Sequence, residues 1–294
     1  MRSGGTATVL ITGAKGQVGR ELQDTAPSAW RVIACGSGDL DVTNADAVRA
    51  VMERERPAAV IQVAAYTHVD QAETEADRAE AVNVTGAFNV AAAATRIGAR
   101  IIHVSTDFVF DGRQGHPYTP DAPPNPLSVY GRTKLRGEQE VIRATAGAAL
   151  IVRTAWVYSV HGRNFVRTML RLMQDQPRIR VVHDQVGTPT WGRALAQALW
   201  RGADRELNGI VHWTDAGVAS WYDFAVAIRD EALLLGLLHH PVTVTPIGSQ
   251  EFAAPARRPS YSVLDKDSGW AALGGPVRHW RENLRLMLEG LARA

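Results

Sequence analysis

One cysteine, three lysines and no apolar stretch near twenty residues set the first limits on this 294-residue chain. Cys35 alone can form neither an internal disulfide nor a cysteine-based metal cluster, which suits a reducing compartment; it reads as a small buried residue at a strand end. Without a long apolar run there is no membrane-spanning helix, which needs about 20 such residues. Met1 to Thr6 is too short and polar for a signal peptide, so the expected location is cytoplasmic. Neither sign of charge dominates: the net charge is +2 and the 29 arginines are interspersed with acids, which leaves no electrostatic footprint for nucleic acid. A hydrolytic serine would need a GxSxG elbow, and none is present. His239-His240 lies beside Pro241 without partners at metal-ligand spacing, and reads as a solvated loop. No internal repeat, low-complexity tract or linker divides the chain, whose length permits a large core in one or two domains.

What is there begins with a choice of residue. Tyr130 and Lys134 stand four apart in Tyr-Gly-Arg-Thr-Lys, and a lysine in a chain that otherwise uses arginine needs a reason. One reason is chemical: a nearby ammonium favours the phenolate, so Tyr130 could exchange a proton near neutrality, and a compact ammonium also reaches ribose hydroxyls. Alone, the pair reads equally well as one solvated helix face.

Residues 8–12 (Thr-Val-Leu-Ile-Thr) form a short β-branched run, followed at once by Gly13-Ala14-Lys15-Gly16-Gln17-Val18-Gly19 and a helical stretch at 20–25. Strand, glycine turn and helix in this order are the context of a dinucleotide fingerprint, in which glycines let the backbone approach a pyrophosphate at the positive end of the helix. The spacing is GxxGxxG rather than GxGxxG. By itself it could be an ordinary turn; with Tyr130 and Lys134 downstream the dinucleotide reading becomes strong.

Apolar runs at 8–12, 31–35, 59–63, 100–105 and 149–153 alternate with helical segments, as a parallel sheet with crossover helices requires. Residues 79–98 read as the clearest helix, alanine-rich and ended by Gly98. Four prolines between 120 and 126 predict a rigid loop leading into the helix of Tyr130. Beyond 153 the pattern loosens: 181–182 and 210–213 read as further sheet strands, and 164–174, 221–235 and 276–291 as helices. The expected fold is therefore α/β, a Rossmann-type doubly wound parallel sheet with a smaller, interleaved C-terminal lobe. The dinucleotide-binding part spans 1–157 with returning segments at about 181–213, and 158–294 mainly builds the substrate lobe.

Residues 105–112 (Ser-Thr-Asp-Phe-Val-Phe-Asp-Gly) directly follow the fourth strand, where an open parallel sheet binds its ligands. A hydroxyl there could polarise a substrate oxygen beside Tyr130, or simply cap the next turn. With the glycine loop and the Tyr-x-x-x-Lys pair, this segment resembles the extended short-chain dehydrogenase/reductases. Residues 64–73 (Ala-Ala-Tyr-Thr-His-Val-Asp-Gln-Ala-Glu), 105–112, 129–131 (Val-Tyr-Gly), 153–158 (Arg-Thr-Ala-Trp-Val-Tyr) and 184–190 (Asp-Gln-Val-Gly-Thr-Pro-Thr) are similar, in order, to the dTDP-4-dehydrorhamnose reductases, over residues 9–286.

That resemblance implies reduction of the C4 ketone of a dTDP-linked 4-keto-6-deoxysugar by NADPH or NADH, with dTDP-L-rhamnose as product in the main branch. It implies Thr106, Tyr130 and Lys134 as the catalytic set, Tyr130 being the general acid. Gly13, Gly16, Gln17, Val18 and Gly19 would form the pyrophosphate turn, Asp41 and Val42 the adenine-side contact, and Ala65, Tyr66 and Thr67 the strand end under the coenzyme. Asp107 and Trp156 match sugar-facing positions, although Trp156 could equally be a core aromatic. Asn164 and Arg257, with Arg258, would meet the diphosphate, unless both arginines are solvated surface charges. Three departures qualify the match. Phe108 stands where tyrosine is common in the family. The second strand ends Ala-Cys-Gly-Ser without an acid or an arginine, which tilts the coenzyme only slightly toward NADPH. Arg193 occupies the neighbourhood where some members bridge dimers through a metal, so no metal is expected, although a homodimer remains compatible. Asp70 and Glu73 read as loop structure and helix capping rather than as a catalytic pair. The alternatives are a reductase of another dTDP-4-ketodeoxysugar, of the dihydrostreptose type, and a non-catalytic nucleotide-binding regulatory subunit, against which the intact set of three residues argues.

Overall fold

The computed structural model describes residues 7–274 and 277–293; the expectations for residues 1–6 and Pro276 lie outside them. Strand β1 (Ala7–Thr12) is buried from Val9 onward, as a strand covered by helices on both faces must be. It is followed by α1 (Gln17–Asp24), β2 (Trp30–Cys35), α2 (Ala45–Glu55), β3 (Ala59–Gln62), α3 (Ala76–Glu80), α4 (Gly86–Arg96), β4 (Arg100–Thr106), α5 (Val129–Ala144) and β5 (Leu150–Thr154). The chain continues through β6 (Val157–Tyr158), α6 (Phe165–Asp175), β7 (Arg178–Val182), β8 (Val186–Gly187), β9 (Thr190–Trp191), α7 (Gly192–Asp204) and β10 (Gly209–His212). It ends with β11 (Ala219–Ser220), α8 (Trp221–Leu234), β12 (Thr243–Ile247), α9 (Asp267–Leu273) and α10 (Trp280–Ala292).

Six strands pair in parallel in the order β10-β5-β4-β3-β1-β2. The order reverses between β1 and β3, and this switch point opens a crevice at the carboxyl ends of the strands. Helices α2, α4 and α5 cover one face through Val48, Met52, Val90 and Val141. Helices α1 and α7 cover the other through Leu22, Leu195 and Leu199. The doubly wound α/β arrangement expected from the alternation is thus present. A separate core beside it joins α6, α8 and α10 through Val166, Met173, Phe224, Ile228, Leu284 and Met287. No helix of the described residues is long and apolar enough to cross a membrane.

Two elements differ from expectation. The strand anticipated at 181–182 starts at Arg178 and pairs with β12, not with the central sheet. The chain returns to that sheet only with α7 and β10, because α7 carries the apolar face that fits α1. The single helix anticipated at 79–98 begins at Ala76 and is interrupted by a π-helical turn at Ala81–Thr85. There Asn83 is buried: its Oδ1 accepts from Tyr66 N at 2.8 Å, while its Nδ2 donates to Tyr66 O at 3.2 Å and Thr133 Oγ1 at 3.0 Å. Gly137 of α5 lies so close that a Cβ would stand 2.2 Å from Asn83 O. The wide turn therefore lets one amide tie α5 to the strand-end segment after β3, an adjustment common near functional sites.

Candidate active site

Helix α5 is placed by its first turn. Ser128 Oγ accepts from Gly131 N at 3.1 Å, and Glu73 Oε1 accepts from Val129 N at 2.8 Å, satisfying two of the four amides a helix start leaves free. Glu73 thus caps a helix 56 residues away, whereas Asp70 binds Arg258 at 2.7 Å instead of capping a turn. Gly131 has no room for a side chain, since a Cβ would meet Phe108 O at 2.3 Å. This close approach sets Tyr130 against the segment leaving β4, with the Phe108 ring edge-on at 5.5 Å between centroids.

Thr106, at the end of β4, donates from Oγ1 to Asp107 Oδ1 at 3.1 Å and accepts from Phe108 N at 3.2 Å. Burial pushes the Tyr130 phenol up to about 12; the Asp107 charge adds to this, and the Thr106 hydroxyl opposes it. The expectation that the lysine would bring the phenol toward neutrality is corrected here. Lys134 is buried and donates its ammonium to Val104 O at 2.8 Å, and no attraction from it offsets the desolvation of the half-buried phenol. Burial also brings Lys134 down to about 8, against the attraction of Glu138 one turn along. Asp107 rises to about 6, again by burial, with Ser262 and Thr106 holding it down.

The glycine loop lies at the switch point. Gly13 has φ +70°, and a Cβ there would lie 2.6 Å from Ala64 N; at Gly19 one would lie 2.4 Å from Gly13 O. These two glycines serve packing, whereas Gly16 is exposed and caps α1 without offering a side-chain acceptor. The first-turn amides at Gln17 and Val18 are thereby left to an anion, and the loop fits a dinucleotide pyrophosphate. Val42 is buried against Gly86 of α4 and held by Asn89, which donates to its carbonyl at 3.0 Å; Asp41 accepts from Thr43. Ala65, Tyr66 and Thr67 follow β3 beside the loop, with the Tyr66 hydroxyl donating to Glu75 at 3.0 Å.

One residue that the motifs passed over belongs to this group. Lys15 reaches the end of β2, where its stem lies over Gly36 and its ammonium stands 3.4 Å from Asp39. The scarcity of lysine was the signal that could have found it. On the far side, Asn164 caps α6 through Arg167 N and donates to Gln17 Oε1 at 3.0 Å, which ties it to the start of α1 beside the glycine loop. Trp156 has φ +47° and stacks on Trp221 with centroids 3.5 Å apart. Gly187 makes room for it, since a Cβ there would lie 2.6 Å from the indole. Arg257 is exposed, and it is Arg258 that is anchored, to Asp70. Among the described residues Glu21, Asp24 and His161 bring ligating atoms within 4.8 Å of one another. Ser159 donates to Glu21 at 2.5 Å, His161 pairs with Asp24 at 2.6 Å, and the positive charge of Arg193 lies nearby, so the group is held internally.

Comparison with known proteins agrees with this geometry. The family model described as the RmlD substrate binding domain matches residues 7–293. A dTDP-4-dehydrorhamnose reductase of Streptomyces griseus is 43% identical over 94% of this chain and 91% of its own length. A probable dTDP-4,6-dihydroxy-2-methyloxan-3-one 4-ketoreductase of Streptomyces antibioticus is 44% identical over 94% and 92%. The crystal structure of a dTDP-4-dehydrorhamnose reductase from Bacillus anthracis in complex with NADP superimposes with a TM-score of 0.92 at 36% identity, covering 97% of this chain and 99% of that one. With a matching family model along nearly its whole length and an arrangement of strand ends that agrees with it, the chain belongs to the dTDP-4-dehydrorhamnose reductase family.

Proposed function

We propose that this protein reduces the C4 ketone of dTDP-4-dehydro-L-rhamnose to dTDP-L-rhamnose with NADPH or NADH. The observation that carries the reading is the convergence of Thr106, Tyr130 and buried Lys134 at the carboxyl end of β4, within reach of the glycine loop at the switch point. The reduced nicotinamide supplies the hydride when bound. Tyr130 gives its proton to the C4 oxygen, and Thr106 turns its single hydroxyl proton from Asp107 to the same atom. A phenol held at about 12 stays protonated throughout the physiological range and still yields its proton to a far more basic alkoxide. Lys134 reaches the phenol and the nicotinamide ribose. Asp107 and Trp156 face the sugar, while Asn164 and the 257–258 segment meet the diphosphate. The central sheet would hold the coenzyme while the smaller lobe, mainly 158–294, closes over the nucleotide sugar.

Coenzyme oxidation with a panel of dTDP-4-ketosugars, followed by identification of the product, tests the reading. Binding of NADPH without consumption by any of them would instead indicate a regulatory subunit. The 44% identity to the Streptomyces antibioticus ketoreductase, with Phe108 beside Tyr130, favours as second reading a related dTDP-4-ketodeoxysugar.

Two expectations concern the coenzyme. Gly16→Val should weaken binding of NADPH and NADH alike, because the added side chain projects where the pyrophosphate approaches, while its Cβ, 3.3 Å from Gly13 O, asks the loop to give by only a few tenths of an ångström. Unchanged affinity by titration would remove the loop from this role. Lys15→Ala should raise the KM for NADPH roughly ten- to a hundredfold and leave that for NADH nearly unaltered, since a charge-assisted contact to a 2′-phosphate contributes about 1.5–3 kcal/mol. Equal effects on both coenzymes would place Lys15 away from the 2′-phosphate.

A further inference from the structure

Three neighbouring strands carry a row of buried polar side chains that the chemistry above leaves unused. Thr12 of β1 is in register with Gln62 of β3, and Gln62 with His103 of β4, so the three share one face of the sheet. Each is almost wholly buried, and Thr12 Oγ1, both amide atoms of Gln62 and His103 Nδ1 have no hydrogen-bond partner among the described residues. The other imidazole nitrogen is engaged. His103 Nε2 stands 3.5 Å from Lys134 Nζ, whose second contact is Val104 O at 2.8 Å.

An ammonium has three donors and no acceptor. Two of those on Lys134 face Val104 O and His103 Nε2, and their directions determine where the third points. An imidazolium at this distance would repel the ammonium, and burial independently keeps His103 well below its ordinary range. His103 is therefore neutral, with its proton on Nδ1 and a lone pair on Nε2.

We infer that His103 is a positioning residue for Lys134: its Nε2 accepts from the ammonium, keeps that group charged, and turns the one remaining N–H toward the crevice that Tyr130 shares with the coenzyme ribose. The inference rests on the role proposed above for Lys134. Other ionisable groups around α5 are accounted for. Glu138 is bound to Arg153 of β5, Glu80 of α3 to Arg136, and Asp107 lies beside Tyr130. His103 is the ionisable side chain that touches Lys134 from β4.

The test is the pH dependence of kcat in His103→Leu and His103→Gln at saturating coenzyme and sugar nucleotide. Activity falls as Lys134 loses its proton, so removing an acceptor that favours the ammonium lowers its pKa and moves the basic limb to lower pH. We expect a shift of about one unit, a tenfold change in proton affinity, in the leucine variant, with most of it restored by glutamine, whose amide oxygen can accept. A leucine variant with the wild-type basic limb would overturn the inference. Nitrogen-15 spectra of the wild-type chain give a second reading that needs no folded variant: Nδ1 protonated and Nε2 bare from pH 6 to 9 supports it, and the opposite tautomer or an imidazolium overturns it. Lys134→Met separates this inference from its premise, since full turnover in that variant would remove Lys134 from the reaction whatever His103 does.

Discussion

Tyr130→Phe folds like the parent chain, binds NADPH with unchanged affinity, and loses about two to four orders of magnitude in kcat, the usual contribution of a positioned general acid. The fold should tolerate the change, because the ring contact with Phe108 does not involve the hydroxyl and α5 is anchored by Ser128 and Glu73. The residual rate should lack any dependence on the phenol. In the parent chain the basic limb of the pH profile should lie near 8, where buried Lys134 gives up its proton, and not near 12, where the phenol would. Rapid-quench measurement of a single turnover isolates the chemical step. A phenylalanine variant within tenfold of the parent in that step would exclude Tyr130 as the acid.

Glu138→Ala is the substitution with the largest expected cost in stability. Its carboxylate receives both Nε at 2.9 Å and Nη2 at 2.7 Å of Arg153, and the two side chains are 1% and 3% exposed. Removing one partner leaves a guanidinium buried with Pro120 O as its remaining acceptor, which costs about 3–5 kcal/mol, or on the order of 10 °C in Tm for a chain of this size. Arg153 also lies over the Phe110 ring at 5.2 Å, so the loss should loosen the segment after β4 as well as α5. Urea unfolding of the variant measures the effect; a change under 1 kcal/mol would mean that water replaces the carboxylate. The same variant should move the basic limb of activity to lower pH, since the Glu138 charge favours the Lys134 ammonium.

Local patterning was enough for much of this molecule. Alternating apolar runs specified the five strands up to Thr154, because a parallel strand buried on both faces is apolar along most of its length, with the buried polar residues gathered toward its carboxyl end. The glycine turn between β1 and α1 and the four-residue spacing of Tyr130 and Lys134 depend only on neighbours along the chain. The resemblance to the reductases rests on motifs of that kind. Arg178–Val182 could not be assigned in this way: a short apolar strand carries no mark of its partner, and the choice of β12 over the central sheet came from which helices cover which face. The π turn at Asn83 likewise answers to Gly137, 54 positions on, and to the strand end at Tyr66.

The sequence by itself determined that a strand, glycine turn and helix would be followed by a hydroxyl-bearing strand end and a Tyr-Lys helix, since each is written in contiguous residues. Tertiary structure alone decided what those groups experience. The half-buried phenol rises because its charged form is desolvated beside Asp107, Lys134 turns to Val104 and His103, and Lys15 lies across β2 beside Asp39. Proton affinity and reach depend on desolvation and on contacts between residues far apart in the chain, and no local spacing encodes either.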